Sequence, residues 1–169
     1  TWRSAPSDYT TATGVEPGTV FATAAYAPAS PGANTTLVGA MQPYNAINGW
    51  TRTSRMAAIT DGTSNTILLG ERVGGTTIYR GGRANSSDTT TYGPSNGGGW
   101  GDILNGENWI YGSLQDGTGV RSGTCTINCT NRRTAGFYAF HPGGAQFGLC
   151  DGSVRFIGET IEPRVMAAA

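Results

Sequence analysis

Apolar side chains are thinly scattered over the first fifty residues. Tyr9, Val20, Phe21, Tyr26, Leu37, Val38, Tyr44, Ile47 and Trp50 stand singly or in pairs among Ala, Thr, Pro and Gly. The stretch TVFATAAYA predicts a strand and APASPGANTT a loop. The first dense unit is TSRMAAITDGTSNTILLGERV. Here Ser54 is expected to cap one short helical turn through Ile59, which DGTSN then breaks. TILLGERV, a short apolar run bounded by turn residues, predicts a buried strand. From Gly74 to Gly99 the chain is so rich in Gly, Ser, Thr and Asn that a long exposed loop or irregular hairpin is expected. WGDILNGENWIYGS predicts a turn and short strand placing Trp100 and Trp109, GFYAF another strand, and ETIEPRVMAAA a final helical turn or a fraying tail. Asp-Gly followed by Thr or Ser recurs at 61, 116 and 151 with unequal gaps, which marks turns rather than a repeat architecture.

The clearest local pattern is HPGGAQFGLCDGSVRF, residues 141–156. Asp-Gly between alternating apolar residues is a strong hairpin signal. With Asp151-Gly152 as a two-residue loop, Cys150 faces Ser153, Leu149 faces Val154 and Phe147 faces Phe156. Because strand side chains alternate, Phe147, Leu149, Val154 and Phe156 would share one apolar face, with Gln146, Gly148, Cys150, Ser153 and Arg155 on the other. His141, the sole histidine, precedes the first strand. Pro142 biases it toward an extended backbone, and Gly143 and Gly144 permit a sharp turn. Asp151 then sits at the far tip, some tens of ångströms from His141 at ~3.3 Å per residue, so the two cannot form a dyad. Any acid that orients His141 must come from elsewhere.

Composition narrows the functional classes. The 169 residues carry zero formal net charge and only 13% charged side chains, which argues against nucleic acid, whose binders need clustered basic groups. All 11 basic residues are Arg. Hydrophobic residues make up 37%, with aromatics along the whole length, so the chain is expected to fold as one domain over residues 1–169. No window is apolar enough to span a membrane. Cys125 and Cys129 are candidates for a small disulfide loop; free thiols or a metal site are the other readings, and Cys150 is left over in any case.

Catalytic signatures are sparse. There is no G-x-S-x-G elbow, H-E-x-x-H, P-loop or dinucleotide fingerprint, and no cofactor is expected. Asp61, Asn65 and Glu71 offer oxygens to Ca2+, although DGTSN also reads as an Asx-type turn. Trp100 and Trp109, set among polar loops, are candidates for stacking on sugar rings, against the alternative that they anchor the core. Asn34, Asn85 and Asn128 lie in N-x-S/T sequons.

Two segments, ITDGTSNTILLGER (59–72) and FHPGGAQFGLCDGSVRFI (140–157), together resemble the prepilin-associated H-x9-D-G domain family, abundant in planctomycete-type bacteria. His141, Gly143, Gly144, Asp151 and Gly152 match its signature, and Asp61, Gly62, Ser64, Asn65 and Glu71 match the other block. SAPSDYTTATG and NGWTRTSRMAAITDG are similar to family segments too. The resemblance implies an α+β, β-rich, pilin-like globular head: an antiparallel sheet with long Gly/Thr/Asn-rich loops, lacking its N-terminal hydrophobic helix. It also implies an extracellular, cell-surface subunit acting in filament assembly or adhesion, a homo-oligomer or filament with surface polysaccharide as a further partner, and membrane contact only through that helix. A structural role is therefore expected rather than catalysis, displayed through loops 74–99 and 112–135. In it, Asp61 and Asn65 tie a loop to backbone amides, Glu71 pairs with an Arg, and His141 fixes the lead-in to the hairpin. The alternatives are a carbohydrate-binding module using Trp100 and Trp109, and a hydrolase using His141 with a nearby Ser, Asp or Glu.

Overall fold

The computed structural model describes residues 5–27, 37–41 and 55–169. The expected loop at 28–36, the Ser54 cap, Tyr44, Ile47, Trp50 and the Asn34 sequon lie outside the described residues. The strands are β1 (Tyr9–Thr11), β2 (Gly14–Val15), β3 (Ile67–Glu71), β4 (Tyr79–Arg80), β5 (Arg83–Ala84), β6 (Trp109–Ile110), β7 (Gly144–Leu149) and β8 (Val154–Gly158). The helices are α1 (Val20–Tyr26), α2 (Ser86–Tyr92) and α3 (Pro163–Ala168), with 3-10 turns at Met56–Ala58 and Gly93–Ser95. The fold is thus mixed α and β around an antiparallel four-stranded sheet of order β1-β3-β7-β8. Two small two-stranded sheets, β2-β6 (parallel) and β4-β5 (antiparallel), flank it.

The hairpin forms where Asp-Gly places it, but one residue out of the expected register. Gly152 N–H donates to Leu149 O at 3.0 Å, Leu149 N–H donates to Ser153 O at 2.8 Å, and Gly152 has φ +85°. This is a three-residue loop, Cys150-Asp151-Gly152, in which a tight turn is followed by a left-handed glycine. Phe147 therefore opposes Arg155, and Gly148 opposes Val154. A slip of one residue sends every side chain of a strand to the other face. Phe147 and Leu149 are buried, whereas Val154 and Phe156, expected beside them, are 67% and 52% exposed.

TVFATAAYA is a helix rather than a strand. Thr19 caps α1 by accepting from Ala22 N–H at 3.1 Å, and the following run is Ala-rich, which favours helix. Phe21, Ala22 and Ala25 face the core, and α1 packs on α3, where Met166 is buried. Beneath the sheet, Phe137 and Phe147 meet edge-to-face at 4.8 Å. A side chain at Gly70 would run into both rings. GFYAF contributes bridges rather than a strand: Phe137 pairs with Ile127 and Tyr138 with Arg72.

The region 74–99 is not an exposed loop. It folds as the β4-β5 hairpin, α2 and a 3-10 turn, with Gly93, Asn96, Gly97 and Gly98 buried. In 112–135, Ser113 and residues 125–127 and 129–131 are likewise buried, so only part of that stretch is displayed. The polar composition suggests surface; the structure uses it inside. Asn131 donates to Val73 O and Thr77 O and accepts from Tyr79 N–H, all at 2.8–2.9 Å. Asn96 bridges Gly75 O and Arg133 N–H, and Asn108 bridges Gly136 O and Thr134 N–H. Each amide supplies the donor and acceptor that a neighbouring strand would otherwise provide.

Replacing Asn131 by Ala strands three backbone groups. We expect Asn131→Ala to lose at least about 2 kcal/mol of stability, since each buried orphan costs roughly 1–3 kcal/mol. Phe147→Ala, which empties the ring pair, should lose about 3–5 kcal/mol. Urea denaturation of the two variants checks both; a near-neutral Asn131→Ala would show that water replaces the amide.

Candidate functional site

The two sequence blocks that carry the family resemblance fold onto each other. β3 lies antiparallel to β7, with Ile67 opposite Leu149 and Gly70 opposite Phe147, and a bulge where Leu68 intervenes. Below the strands, the 61–66 turn docks on the hairpin loop: Asp151 N–H donates to Thr63 O at 3.1 Å and Cys150 N–H to Thr66 O at 2.9 Å.

At the other end, Glu71 meets His141. Glu71 Oε2 is 3.0 Å from His141 Nε2 and accepts from Gln146 N–H at 2.6 Å. The second bond has a clear cause. Glu71's own carbonyl already accepts from Tyr138 N–H, so β3 has turned away from β7 at this point. The carboxylate takes the place of the missing backbone acceptor for Gln146. Glu71 therefore pairs with the histidine, not with an Arg as expected. Asn128 clamps the HPGG turn from the opposite side: its Nδ2 is 3.1 Å from Gly144 O and 3.4 Å from His141 O, while its Oδ1 accepts from Ala139 N–H. Asn128 holds φ +63°, a left-handed conformation that Asn tolerates. Gly144 is needed because a Cβ there would strike Ile157 O and the Phe156 ring. Gly143 takes φ +90°.

The arrangement presents an imidazole, 43% exposed at its side chain, oriented by a carboxylate and lying 5.8 Å from the Phe156 ring. No hydroxyl or thiol of the described residues hydrogen-bonds the ring. Cavities of about 290 and 400 Å3 lie elsewhere, near Val15, Tyr26 and Ile110 and near Leu149, Arg164 and Val165. Asp151 sits at the turn, as expected, away from His141. Its Oδ1 accepts from Ser153 O–H at 2.6 Å and from Ser153 N–H at 2.9 Å. These bonds, with Arg155 nearby, hold its carboxyl below the usual aspartate range. Asp116 repeats the same turn with Thr118.

The remaining candidates separate. Asn65 Nδ2 donates to Asp61 O at 3.3 Å and Asn65 N–H to Gly62 O at 3.0 Å, while the Asp61 carboxylate takes the Thr60 hydroxyl at 3.5 Å, so among the described residues neither side chain binds the backbone amides expected of it. Gly62 takes φ +92°, and exposed Ser64 lies in the same turn. Glu71 lies at the far end of β3 from Asp61, and no three His, Cys, Asp or Glu of the described residues gather as a metal site. Trp109 is buried in β6 while Trp100 is 75% exposed, so the two do not form one stacking platform. Cys125 and Cys129 form a disulfide, and Cys150 is a free, partly buried thiol whose pKa burial and Asp151 push up.

Sequence reasoning passes over Arg72. Its side chain is fully buried and donates to Asn96 O at 2.8 Å, Asn131 O at 3.4 Å and Asn105 Oδ1 at 3.0 Å. Burial, then Arg133, lower its pKa to about 10. The only signal was its place directly after Glu71.

A family model described as "Protein of unknown function (DUF1559)" matches residues 3–164, and the chain belongs to that family. No curated protein and no solved structure matches it.

Two outcomes follow from the site. Glu71→Ala leaves Gln146 N–H without its acceptor and should lose about 1–3 kcal/mol, whereas His141→Ala, removing an exposed partner, should lose under about 1 kcal/mol; chemical denaturation compares them. Because Asp151 is lowered in the folded state, its contribution is present above the ordinary value of 3.8 and is lost as pH falls through the lowered one. Asp151→Asn should therefore flatten the acid limb of a stability–pH curve, and an unchanged limb would show that Ser153 does not hold the carboxylate.

Proposed function

We propose that this chain is the β-rich head of a pilin-like subunit of the bacterial cell surface, with a structural role in filament assembly or adhesion. The observation that carries the reading is that the polar groups of both motif blocks, though mostly at the surface, are engaged by the chain itself: Glu71 serves Gln146 and His141, Asp151 serves Ser153, and Asn65 serves Asp61 and Gly62. Groups satisfied within the chain build a scaffold. In the H-x9-D-G family that the sequence resembles, these residues are then turn-makers, and recognition falls to the surface around them. A surface polysaccharide is the second reading, favoured by Trp100, which stands out with the still more exposed Ile103 three residues on.

The encoded precursor decides between filament and other envelope roles. A prepilin cleavage site and an apolar helix of about 20 residues upstream of Thr1 are expected. Negative-stain microscopy of cell-surface material, labelled with an antibody to this chain, should show decorated fibres. A secretory signal alone, with no fibres, would overturn the filament reading.

A further inference from the structure

We propose that β8 is a self-association edge, through which two copies pair antiparallel about a two-fold axis at Ile157. The inference deepens the surface-subunit reading and rests on it for its setting, since that reading requires copies to touch.

β8 is the last strand of the sheet. Ser153 O and Glu159 N–H bond to Leu149 and Gly143, so the odd-numbered residues of β8 face β7. Val154, Phe156 and Gly158 therefore turn their backbone N–H and C=O groups away from the sheet. Among the described residues, only Gly158 O is used there, by Ile161 N–H. Native edges are normally blunted by Lys, Pro, a bulge or a covering segment. β8 contains no Pro, pairs with β7 without a register break, and exposes Val154 and Phe156; its one charge is Arg155, which any strand added to this edge must satisfy.

Charge selects the occupant and its register. Arg155 and Glu159 are both exposed and form no salt bridge among the described residues; Arg155 acts on the Asp151 carboxylate from beyond salt-bridge range, and the Glu159 carboxylate accepts from the neutral Asn128 amide at 3.3 Å. Three two-fold registers satisfy the outward hydrogen bonds. Centred on Arg155, the register sets two like charges face to face. Centred on Phe156, it sets Arg155 against Ile157. Centred on Ile157, it places Arg155 of each copy opposite Glu159 of the other, in the closely spaced non-hydrogen-bonded position where cross-strand side chains interact best. The same register sets Phe156 over the partner copy's Gly158, an aromatic across from a glycine; Gly158 N–H then donates to Phe156 O, and Phe156 N–H shares Gly158 O with Ile161 N–H through the carbonyl's second lone pair. The edge is thus complementary to itself, which is what a closed two-fold interface demands.

The test is a charge exchange read by analytical ultracentrifugation of the chain. Arg155→Glu and Glu159→Arg each create two like-charge pairs and should weaken the dimer about tenfold. The double variant restores both pairs and should dimerise as the parent does. An equimolar mixture of the two single variants should form a heterodimer, because one copy then carries Glu at both positions and the other Arg. Circular dichroism and thermal melts verify that the variants fold. A parent that stays monomeric at all concentrations, or a dimer indifferent to the exchange, would falsify the interface. A chain that is found at the cell surface but whose association ignores the exchange overturns β8 pairing and leaves the surface-subunit reading intact; a charge-dependent β8 dimer in a protein that cells do not display does the reverse.

Discussion

The pairing of β3 with β7 is the constraint on which the rest of the structure depends. It joins segments far apart in sequence, buries Ile67, Phe147 and Leu149, and brings Gly70 against the Phe137 and Phe147 rings. Where the pairing ends, two consecutive residues part company. Glu71 turns to the HPGG turn and completes the ladder with its carboxylate, while Arg72 enters the loop layer and gathers the carbonyls of Asn96 and Asn131. One strand end therefore organises both the hairpin and the irregular half of the molecule.

That irregular half is held by amides. A chain with 37% hydrophobic residues and 27 glycines has few side chains to bury, and its loops have few strands to bond. Asn96, Asn108 and Asn131 answer both problems, since a buried carboxamide fills space and offers the donor and acceptor of a peptide group. Arg72 does the same for carbonyls alone; its Nε has no partner among the described residues.

The parts of the fold legible in the sequence are those fixed by local chemistry. TILLGERV reads as a strand because its apolar run is bounded by turns, and Asp-Gly marks the hairpin because only a glycine suits its left-handed position. The register was not legible, because two-residue and three-residue loops share the Asp-Gly signature and alternating apolar residues occur on both strands. α1 was misread because Val20 and Phe21 favour strand locally, whereas the Thr19 cap and the α3 packing decide for helix. The spacing of the HPGG hairpin keeps Asp151 from His141, and the imidazole meets Glu71 instead. Glu71 could not be matched to it, since that contact exists only once β3 and β7 are paired. The buried asparagines were illegible for a related reason: composition reads Asn as surface, and only tertiary context moves it inside.

The arrangement of strands in sequence also sets a timetable. β7 and β8 are neighbours in the chain, whereas β3 reaches β7 across a long intervening segment. Local pairs close quickly and distant ones slowly, because the chain entropy of a large loop must be lost first. The hairpin is thus expected to exist for a time with both flanks bare: the side of β7 awaiting β3, and the outer side of β8. Among the described residues, only the first of these is later covered by a strand of the chain itself. How fast β3 arrives decides how long the open flank of β7 stands beside that of β8, each able to take a strand from whatever chain is near.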